Sequence, residues 1–268
     1  MGNITQEVKI KGFLKPFFEG EKMKKVCVIT GGSRGIGKAT AIEFAKNDYD
    51  VVITYKKNKE LAETAKKEIE SYGSKCVVVK CDISTESDVQ NLFYEVTNHF
   101  KTIDVLVNNA AISIDTLFED KTKKNFEKTL EVNLVGTFLV SKIFGEFMVK
   151  QKSGKIINIA STNGINTYYP MCLDYDASKA GLISLTHNFA MQLSPYVNVN
   201  CVAPGFIATQ SETKDMDKEF IKAEEEKIFK KRAGTEQDVA NLVFFLASSK
   251  ADFINNEVIR IDGGMYGN

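Results

Sequence analysis

The fold of this chain is decided by one stretch of sequence, Lys25-Val-Cys-Val-Ile-Thr-Gly-Gly-Ser-Arg-Gly-Ile-Gly-Lys38. Its apolar start, residues 26–29, predicts a buried strand, and apolar residues at helical spacing over 36–44 predict a helix. A glycine-rich turn joins the two. A helix N-terminus offers unpaired N–H groups and a partial positive charge, and glycines let an anion approach the backbone. The stretch therefore predicts a site for a pyrophosphate.

The glycines of this turn are not spaced as Gly-x-Gly-x-x-Gly, which is the common dinucleotide pattern. They follow Thr-Gly-x-x-x-Gly-x-Gly, carried by Thr30, Gly31, Gly35 and Gly37. A turn of this kind also occurs as a plain connection, so alone it does not establish a phosphate site. The order of the elements that follow favours the phosphate site.

Strand patterns alternate with helix patterns along the rest of the chain. Further strands are predicted over 51–55, 75–80, 103–107, 155–160, 197–202 and 257–261. Helices are predicted over 61–69, 87–100, 174–193 and 239–247, with two long helices filling 121–150. The alternation predicts an α/β fold, a single Rossmann-type doubly wound domain whose parallel sheet of about seven strands has helices on both faces. That domain takes residues 24–268, and residues 1–23 form an N-terminal extension, either disordered or an arm on a neighbouring subunit.

Composition excludes several classes of protein. Lys and Arg total 35 and Asp and Glu total 35 in 268 residues, so no basic footprint marks a nucleic-acid or membrane partner. No apolar run approaches the roughly eighteen residues of a membrane span, and residues 1–21 lack the apolar core of a secretory signal. Five scattered cysteines fit neither a zinc site nor a disulfide framework. We therefore expect a cytoplasmic protein without a metal.

Ligands of parallel sheets bind at the carboxyl ends of the strands. Here the strands are followed by small, polar or turn-forming residues, as a cofactor cleft requires. They are residues 31–37, Tyr55, Lys56, Lys57, Asp82, residues 108–111, Ser161, Pro204 and Gly205.

Several motifs in order now resemble the short-chain dehydrogenase/reductase family over residues 24–266. They are residues 30–37, Asp82, Asn108-Asn-Ala-Ala111, Asn133, Ser161, Tyr175-Asp-Ala-Ser-Lys179 and Pro204-Gly-Phe-Ile-Ala-Thr209. The resemblance implies a Rossmann-type fold, a nicotinamide cofactor and hydride transfer to or from a carbonyl or alcohol carbon. Within the family, the pattern is closest to the 3-oxoacyl-[acyl-carrier-protein] reductases.

The Tyr175 and Lys179 pair also makes chemical sense by itself. Residues four apart lie on one face of a helix. A phenol titrates near pH 10, so work near pH 7 needs about 4 kcal/mol of differential stabilisation. One ammonium about 4 Å away supplies roughly that at an effective dielectric of 20. Tyr175 is therefore the predicted acid, and Lys179 lowers its pKa.

Other roles come from the resemblance or from position. Ser161, at a strand end, is expected to bind the substrate oxygen beside the Tyr175 hydroxyl. By resemblance, Asn133 bends its helix and holds a water that links Lys179 to solvent. The predicted cofactor-binding residues are Gly31, Ser33, Arg34, Gly35, Ile36, Gly37, Tyr55, Lys56, Asp82, Ile83, Asn109, Ala110, Tyr175, Lys179, Pro204, Gly205, Ile207 and Thr209.

The predicted cofactor is NADP(H). An NAD site places an acidic residue at the end of the second strand to bind the ribose 2′-hydroxyl. This chain has Tyr55 there, followed by Lys56 and Lys57, and Arg34 lies inside the glycine turn. Cationic side chains suit a 2′-phosphate, which Arg can bind through two hydrogen bonds.

The substrate is less well determined than the chemistry. A 3-oxoacyl thioester reduced with NADPH is the first expectation; a sugar or polyol dehydrogenase and a catalytically idle NADP-binding redox sensor are the alternatives. Residues 163–173 are expected to touch substrate, and residues 206–231 to form a mobile lid. An acyl carrier protein is a candidate partner, but the helices that would meet it carry Lys142 and Lys150 without Arg, and Glu146 has the wrong sign.

A homotetramer is also implied by the resemblance, through two long helices at 126–150 and 174–193. Their apolar residues Phe138, Phe144, Ile183 and Phe189 exceed what one helix face can bury on a sheet. Some of them are therefore expected to face a partner subunit.

Overall fold

A computed structural model of the protein describes residues 23–166, 169–209 and 216–264. Seven strands form one sheet in which every pairing is parallel. They are β1 (Lys25–Ile29), β2 (Tyr49–Tyr55), β3 (Cys76–Lys80), β4 (Val105–Asn108), β5 (Gly154–Ile159), β6 (Val197–Pro204) and β7 (Val258–Ile261). Their order is β3-β2-β1-β4-β5-β6-β7, which confirms the predicted Rossmann-type fold.

Helices alternate with the strands along the chain. They are α1 (Gly35–Lys46), α2 (Lys59–Glu70), α3 (Glu86–His99), α4 (Lys123–Leu130), α5 (Thr137–Gln151), α6 (Leu173–Gln192), α7 (Lys218–Lys227) and α8 (Glu236–Ala247). Short 3₁₀ turns cover Phe118–Asp120, Thr162–Gly164 and Ser249–Ala251. A π-helical turn, Glu131–Gly136, joins α4 to α5. The N-terminal extension lies outside the described residues except for Met23.

Helices cover both faces of the sheet, and the sequences of the strands are therefore nearly continuous apolar runs. In β1 the buried residues alternate between two core clusters. Cys27 and Ile29 face the cluster built with α1, α2 and α8, whereas Val26 and Val28 face the one built with α3, α5 and α6. Four of the five cysteines are buried and all five are free thiols, and burial raises the pKa of these thiols.

The prediction of two long helices over 121–150 was wrong. One continuous helix runs from Lys123 to Gln151, with the π turn inside it. By length and mean hydropathy, 1.4 over 18 residues, this helix would suit a membrane, but half of that window is buried in the fold. Some of the four residues Phe138, Phe144, Ile183 and Phe189 are expected to face a partner subunit; Phe144 is fully buried against Phe93 and is therefore not one of them.

The sheet order reverses at β1, which pairs with β2 on one side and β4 on the other. In open parallel sheets a crevice opens at this switch point, outside the carboxyl ends of the strands. The glycine-rich turn follows β1, and the Asn109–Ala110 turn follows β4. The fold therefore brings these two sequence motifs side by side.

Candidate active site

Hydrogen bonds tie the glycine-rich turn to the end of β4. The hydroxyl of Thr30 accepts the backbone N–H groups of Asn109 and Ala110, both at 3.0 Å. The Asn109 amide nitrogen donates in return to the carbonyls of Thr30 (3.0 Å) and Gly31 (3.1 Å). From β2, the Thr54 hydroxyl accepts the N–H of Gly31 at 3.0 Å. The turn is thus held by three strands before any ligand binds.

The backbone geometry of this turn requires glycine at several positions. Gly31 and Gly35 have φ of +67° and +55°, in the left-handed region that favours glycine. A Cβ on Gly37 would lie 2.4 Å from the Gly31 carbonyl oxygen, so only glycine lets α1 approach the turn. At Gly35 the corresponding space is open, with no atom within 4 Å.

The start of α1 fits an anionic ligand. Arg34, its N-cap residue, makes no side-chain hydrogen bond to the helix, and the first turn holds no acidic residue. The first N–H groups of α1 therefore lack a side-chain acceptor, and the helix dipole adds partial positive charge. Open space at Gly35 gives a pyrophosphate access to them.

The nucleotide end of the cleft is cationic. Lys56 forms an ion pair with Asp82, with 2.5 Å between Nζ and Oδ2, and the Ser84 hydroxyl donates to the same carboxylate at 2.7 Å. Burial favours a raised pKa for Asp82, but the hydrogen bonds from Lys56 and Ser84 outweigh it and lower that pKa. Arg34 and Lys57 are exposed, and neither makes an ion pair or hydrogen bond within the described residues.

Three apolar residues predicted to bind the cofactor also pack on the core. Ile83 and Ile207 are buried, and Ile36 packs partly buried on the same cluster as Ile207. Their contacts with a cofactor stay a prediction. At the end of β6, a Cβ on Gly205 would lie 2.6 Å from the Asp262 side chain, so the turn after Pro204 is tightly packed.

Lys179 is a buried cation in the first half of α6. Lys179 is only 3% exposed, and its Nζ donates to the Ile159 carbonyl at 2.7 Å. The same nitrogen lies 5.4 Å from the ring centroid of Tyr175, one helical turn earlier. Burial lowers the pKa of Lys179 to about 8. The amine is therefore mostly charged at neutral pH, beside a phenol.

The Ser161 hydroxyl is held by the residue two positions later. Ser161 follows β5, and its Oγ accepts the backbone N–H of Asn163 at 3.2 Å. It also lies 3.4 Å from Oδ1 of Asn163. The amide nitrogen of Asn163 donates to Asp176 at 2.7 Å. Ser161 is thereby connected to α6, the helix that carries Tyr175.

Asn133 lies in the π turn and clamps two neighbouring segments together. Its Oδ1 accepts the N–H of Ile112 at 2.8 Å, and its Nδ2 donates to the Ile112 carbonyl at 2.8 Å and to the Ser178 hydroxyl at 3.0 Å. These three hydrogen bonds hold the side chain in place. The main-chain carbonyl of Asn133 accepts the Thr137 hydroxyl at 2.9 Å, and the water contact expected of Asn133 stays a prediction.

A buried ion pair anchors the start of α6. Lys121 Nζ lies 2.8 Å from Asp174 Oδ1, with side chains 4% and 0% exposed. The Thr129 hydroxyl donates to the other carboxylate oxygen at 2.6 Å. Burial acts to raise the pKa of Asp174, but the hydrogen bonds from Lys121 and Thr129 prevail and lower it. Asp174 immediately precedes Tyr175, so this pair fixes where the catalytic helix begins.

The predicted lid includes α7. The buried carboxylate of Glu224 on α7 connects this helix to the loop before α6. Glu224 is 2% exposed; it accepts the Tyr169 hydroxyl at 2.7 Å and the Lys227 ammonium at 2.6 Å. The predicted lid, 206–231, also includes residues 210–215, which lie outside the described part of the chain.

Sequence reasoning named Ser161, Tyr175 and Lys179 but missed the residues that hold them in place. These are ordinary polar residues in the sequence: Asn163, Asp176, Lys121 and Asp174. Nothing in the sequence shows that Asn163 pairs with Asp176, or Lys121 with Asp174 across 53 residues. A signal existed for one of them: Asp176 interrupts an otherwise small and neutral stretch between Tyr175 and Lys179. Among the described residues, no group of three or more His, Cys, Asp or Glu side chains is placed to hold a metal.

Known proteins resemble this chain over most of its length. Residues 31–266 match the family described as enoyl-(acyl carrier protein) reductase. The 3-oxoacyl-[acyl-carrier-protein] reductase FabG of Staphylococcus epidermidis is 36% identical over 248 residues, covering 91% of this chain and 100% of the relative. The FabG of Aquifex aeolicus is 39% identical over 243 residues, covering 90% and 97%.

Solved structures agree with the sequence relatives. ElxO with NADP bound has a TM-score of 0.84 at 33% identity, covering 90% of this chain and 98% of that one. Acetoin dehydrogenase YohF from Salmonella typhimurium has a TM-score of 0.82 at 32% identity, covering 91% and 96%. Fold, motif order and these relatives together show that the chain is an oxidoreductase of the short-chain dehydrogenase/reductase family.

Proposed function

We propose that the protein reduces a carbonyl group to a secondary alcohol with NADPH, and that its substrate is a 3-oxoacyl thioester. The observation that carries the chemistry is the buried ammonium of Lys179, 5.4 Å from the ring centroid of Tyr175. A cation buried beside a phenol has little structural purpose, because its desolvation is costly. A positive charge beside a phenol favours the phenolate, which is what a proton donor near pH 7 requires.

The glycine turn, residues 31–37, would hold NADPH, and the bound cofactor would supply the hydride that the carbonyl carbon takes up. The Tyr175 hydroxyl gives its proton to the carbonyl oxygen as negative charge develops there. The Ser161 hydroxyl donates a hydrogen bond to the same oxygen and fixes its position. The Lys179 ammonium stabilises the phenolate that remains until solvent returns the proton.

NADP(H) is favoured over NAD(H) by charge at the nucleotide end. No acidic residue ends β2, and Arg34 and Lys57 are exposed without partners in the described part of the chain. A 2′-phosphate would give both of them a charge-assisted partner. Lys56 contributes less than sequence suggested, because Asp82 already neutralises it. The ElxO structure, solved with NADP bound, supports this choice.

The substrate class rests on the curated relatives, which are named 3-oxoacyl-[acyl-carrier-protein] reductases at 36–39% identity. The carrier protein itself is a weaker part of the proposal, since Glu225 and Glu226 on α7 would repel an acidic partner. A second candidate is a small hydroxyketone such as acetoin. The likeness to acetoin dehydrogenases at 31–32% identity favours it.

We also propose that the protein works in the cytoplasm as a homotetramer. Phe138 on α5 is 39% exposed and stacks on Phe189 of α6, with ring centroids 6.2 Å apart. This aromatic pair forms an apolar surface on the two helices that the family resemblance assigns to subunit contacts. Light scattering at micromolar concentration tests the assembly, and a monomer there would contradict it.

One substrate panel tests the proposed function. Acetoacetyl-CoA, an acetoacetyl carrier protein, acetoin, a 2-enoyl thioester and a glucose or polyol set are compared, each with NADPH and NADH. We expect the highest kcat/KM for the 3-oxoacyl thioesters with NADPH. Activity confined to sugars or to acetoin would reject the substrate class. No turnover of any member, with NADPH still bound, would instead favour a redox sensor.

A further inference from the structure

We propose that Asp176, acting through Asn163, is a positioning residue for the hydroxyl of Ser161. The inference deepens the proposed carbonyl reduction and rests on it. It concerns which way the serine proton points before the substrate arrives, and it assigns a function to a carboxylate beside the catalytic tyrosine.

The first step is the orientation of the Asn163 amide. Its side chain could present either oxygen or nitrogen to Asp176, but an ionised carboxylate only accepts hydrogen bonds. The nitrogen must therefore face Asp176, where it donates at 2.7 Å. The amide oxygen is then turned to the other side, 3.4 Å from Oγ of Ser161.

The second step is the orientation of the serine proton. Oγ of Ser161 accepts the backbone N–H of Asn163 at 3.2 Å, which occupies one of its lone pairs. The proton is directed toward the Asn163 amide oxygen. At 3.4 Å that contact is at the long end of hydrogen bonding and is weak. The hydroxyl is thus kept in one orientation, yet it can redirect its hydrogen bond to a substrate oxygen at small cost.

The Asp176 carboxylate is itself held in place. Besides Asn163, it accepts the backbone N–H of Tyr169 from the loop before α6. Partial burial raises its pKa, with Asp174 adding a smaller effect in the same direction, while the two hydrogen bonds oppose them. Without this acceptor the Asn163 amide could turn, and its nitrogen would then donate to Oγ of Ser161. The serine proton would then lose the acceptor that orients it.

The test compares kcat, KM and NADPH affinity in single and double variants. We expect Asp176→Ala to lower kcat about tenfold, the factor that one lost hydrogen bond of about 1.4 kcal/mol gives. NADPH affinity should stay unchanged, because neither residue contacts the cofactor. Asp176→Asn should recover most of the rate, since its amide oxygen still accepts from Asn163. Asn163→Ala should lose the same factor, and the double variant no more than that.

The double variant decides between positioning and general damage. If the losses of Asp176→Ala and Asn163→Ala multiply, the two residues act independently and the proposal is wrong. A wild-type rate in Asp176→Ala would also overturn it. Ser161→Ala provides the reference: it should abolish most activity, and adding Asp176→Ala should then change nothing further. Full activity in Ser161→Ala would instead refute the proposed function, so the two failures are distinguishable.

Discussion

The two sides of the cleft are built in different ways. On the nucleotide side, main-chain groups and glycines hold the turn after β1, as when the Thr30 hydroxyl accepts two backbone N–H groups of the β4 turn. On the substrate side, the loops and helices are held together by pairs of polar side chains, such as Lys121 with Asp174. Backbone geometry tolerates few residue types, whereas side-chain pairs can be exchanged. This difference explains how one cofactor site can serve many substrates.

The largest expected effect comes from removing the acid of the substrate side. Tyr175→Phe should lower kcat by about 10³-fold, within the range contributed by general acid catalysis. NADPH binding should be unchanged, because the ring remains and the glycine turn is untouched. Steady-state kinetics gives the first value. The cofactor's own fluorescence gives the second, and it is undisturbed by energy transfer because the chain has no Trp. A variant that kept most of its kcat would refute the mechanism.

A second change removes the cation of the buried ion pair on the substrate side. Lys121→Met should destabilise the protein by about 3–5 kcal/mol, because it leaves the Asp174 carboxylate buried without its cation. Lys123→Met is the matched control. Its ion pair with Glu127 has side chains 86% and 63% exposed, and such a pair is worth under about 1 kcal/mol. Urea unfolding of both variants measures the difference, and equal losses would contradict it.

The pH dependence tests Lys179 through both activity and stability. Its pKa is lowered to about 8, so the ammonium is lost as pH rises through that value. We expect kcat/KM for reduction to fall about tenfold per unit above that pH, since one proton is required. Stability should change with the opposite sign. Above pH 8 the unfolded chain holds the lysine proton more tightly than the native one, so the free energy of unfolding rises until the unfolded lysine titrates. A flat rate profile up to about pH 9.5 would reject this role of Lys179.

The smallest change of this set affects only the nucleotide side. Arg34→Ala should lower the ratio of kcat/KM with NADPH to that with NADH by about tenfold, because one charge-assisted hydrogen bond to the 2′-phosphate is lost. Activity with NADH should stay the same. Lys46→Ala is the matched control, since it removes one positive charge from the other end of α1. A similar loss in the control would mean that net charge alone, not Arg34, sets the preference.

The sequence predicted the nucleotide side better than the substrate side, and the reason is physical. The strands and the glycine turn have local signals: apolar runs for the strands, and glycines where φ is positive or the backbone approaches closely. The partner of Ser161 has none, and Asp176 is marked only as a charge in a small, neutral stretch, because Asn163 and Asp176 meet only after the 3₁₀ turn and α6 pack together. The two residues are only 13 positions apart, yet no local pattern shows that they pair.

Two further details could not be predicted from a residue's own pattern. Phe144, one of four apolar residues on the two long helices, packs in the core beside Phe93. Lys56, predicted to bind the cofactor, forms an ion pair with Asp82, which lies two residues after β3. In both cases a neighbouring element, not the residue's own pattern, decided the outcome.

The π turn at Glu131–Gly136 has a consequence for insertions and deletions. From Thr129 to Met148, both buried, the helix advances 19 residues, whereas five regular turns take about 18. The wider turn absorbs the one surplus residue, so that α4 and α5 both present their apolar faces to the fold. Deleting one residue within 131–136 should therefore leave α5 in phase with the sheet and yield a folded protein. The clamp between Asn133 and Ile112 would be lost, and with it the alignment of the loop after β4. We therefore expect the surplus residue to be needed for activity and not for folding.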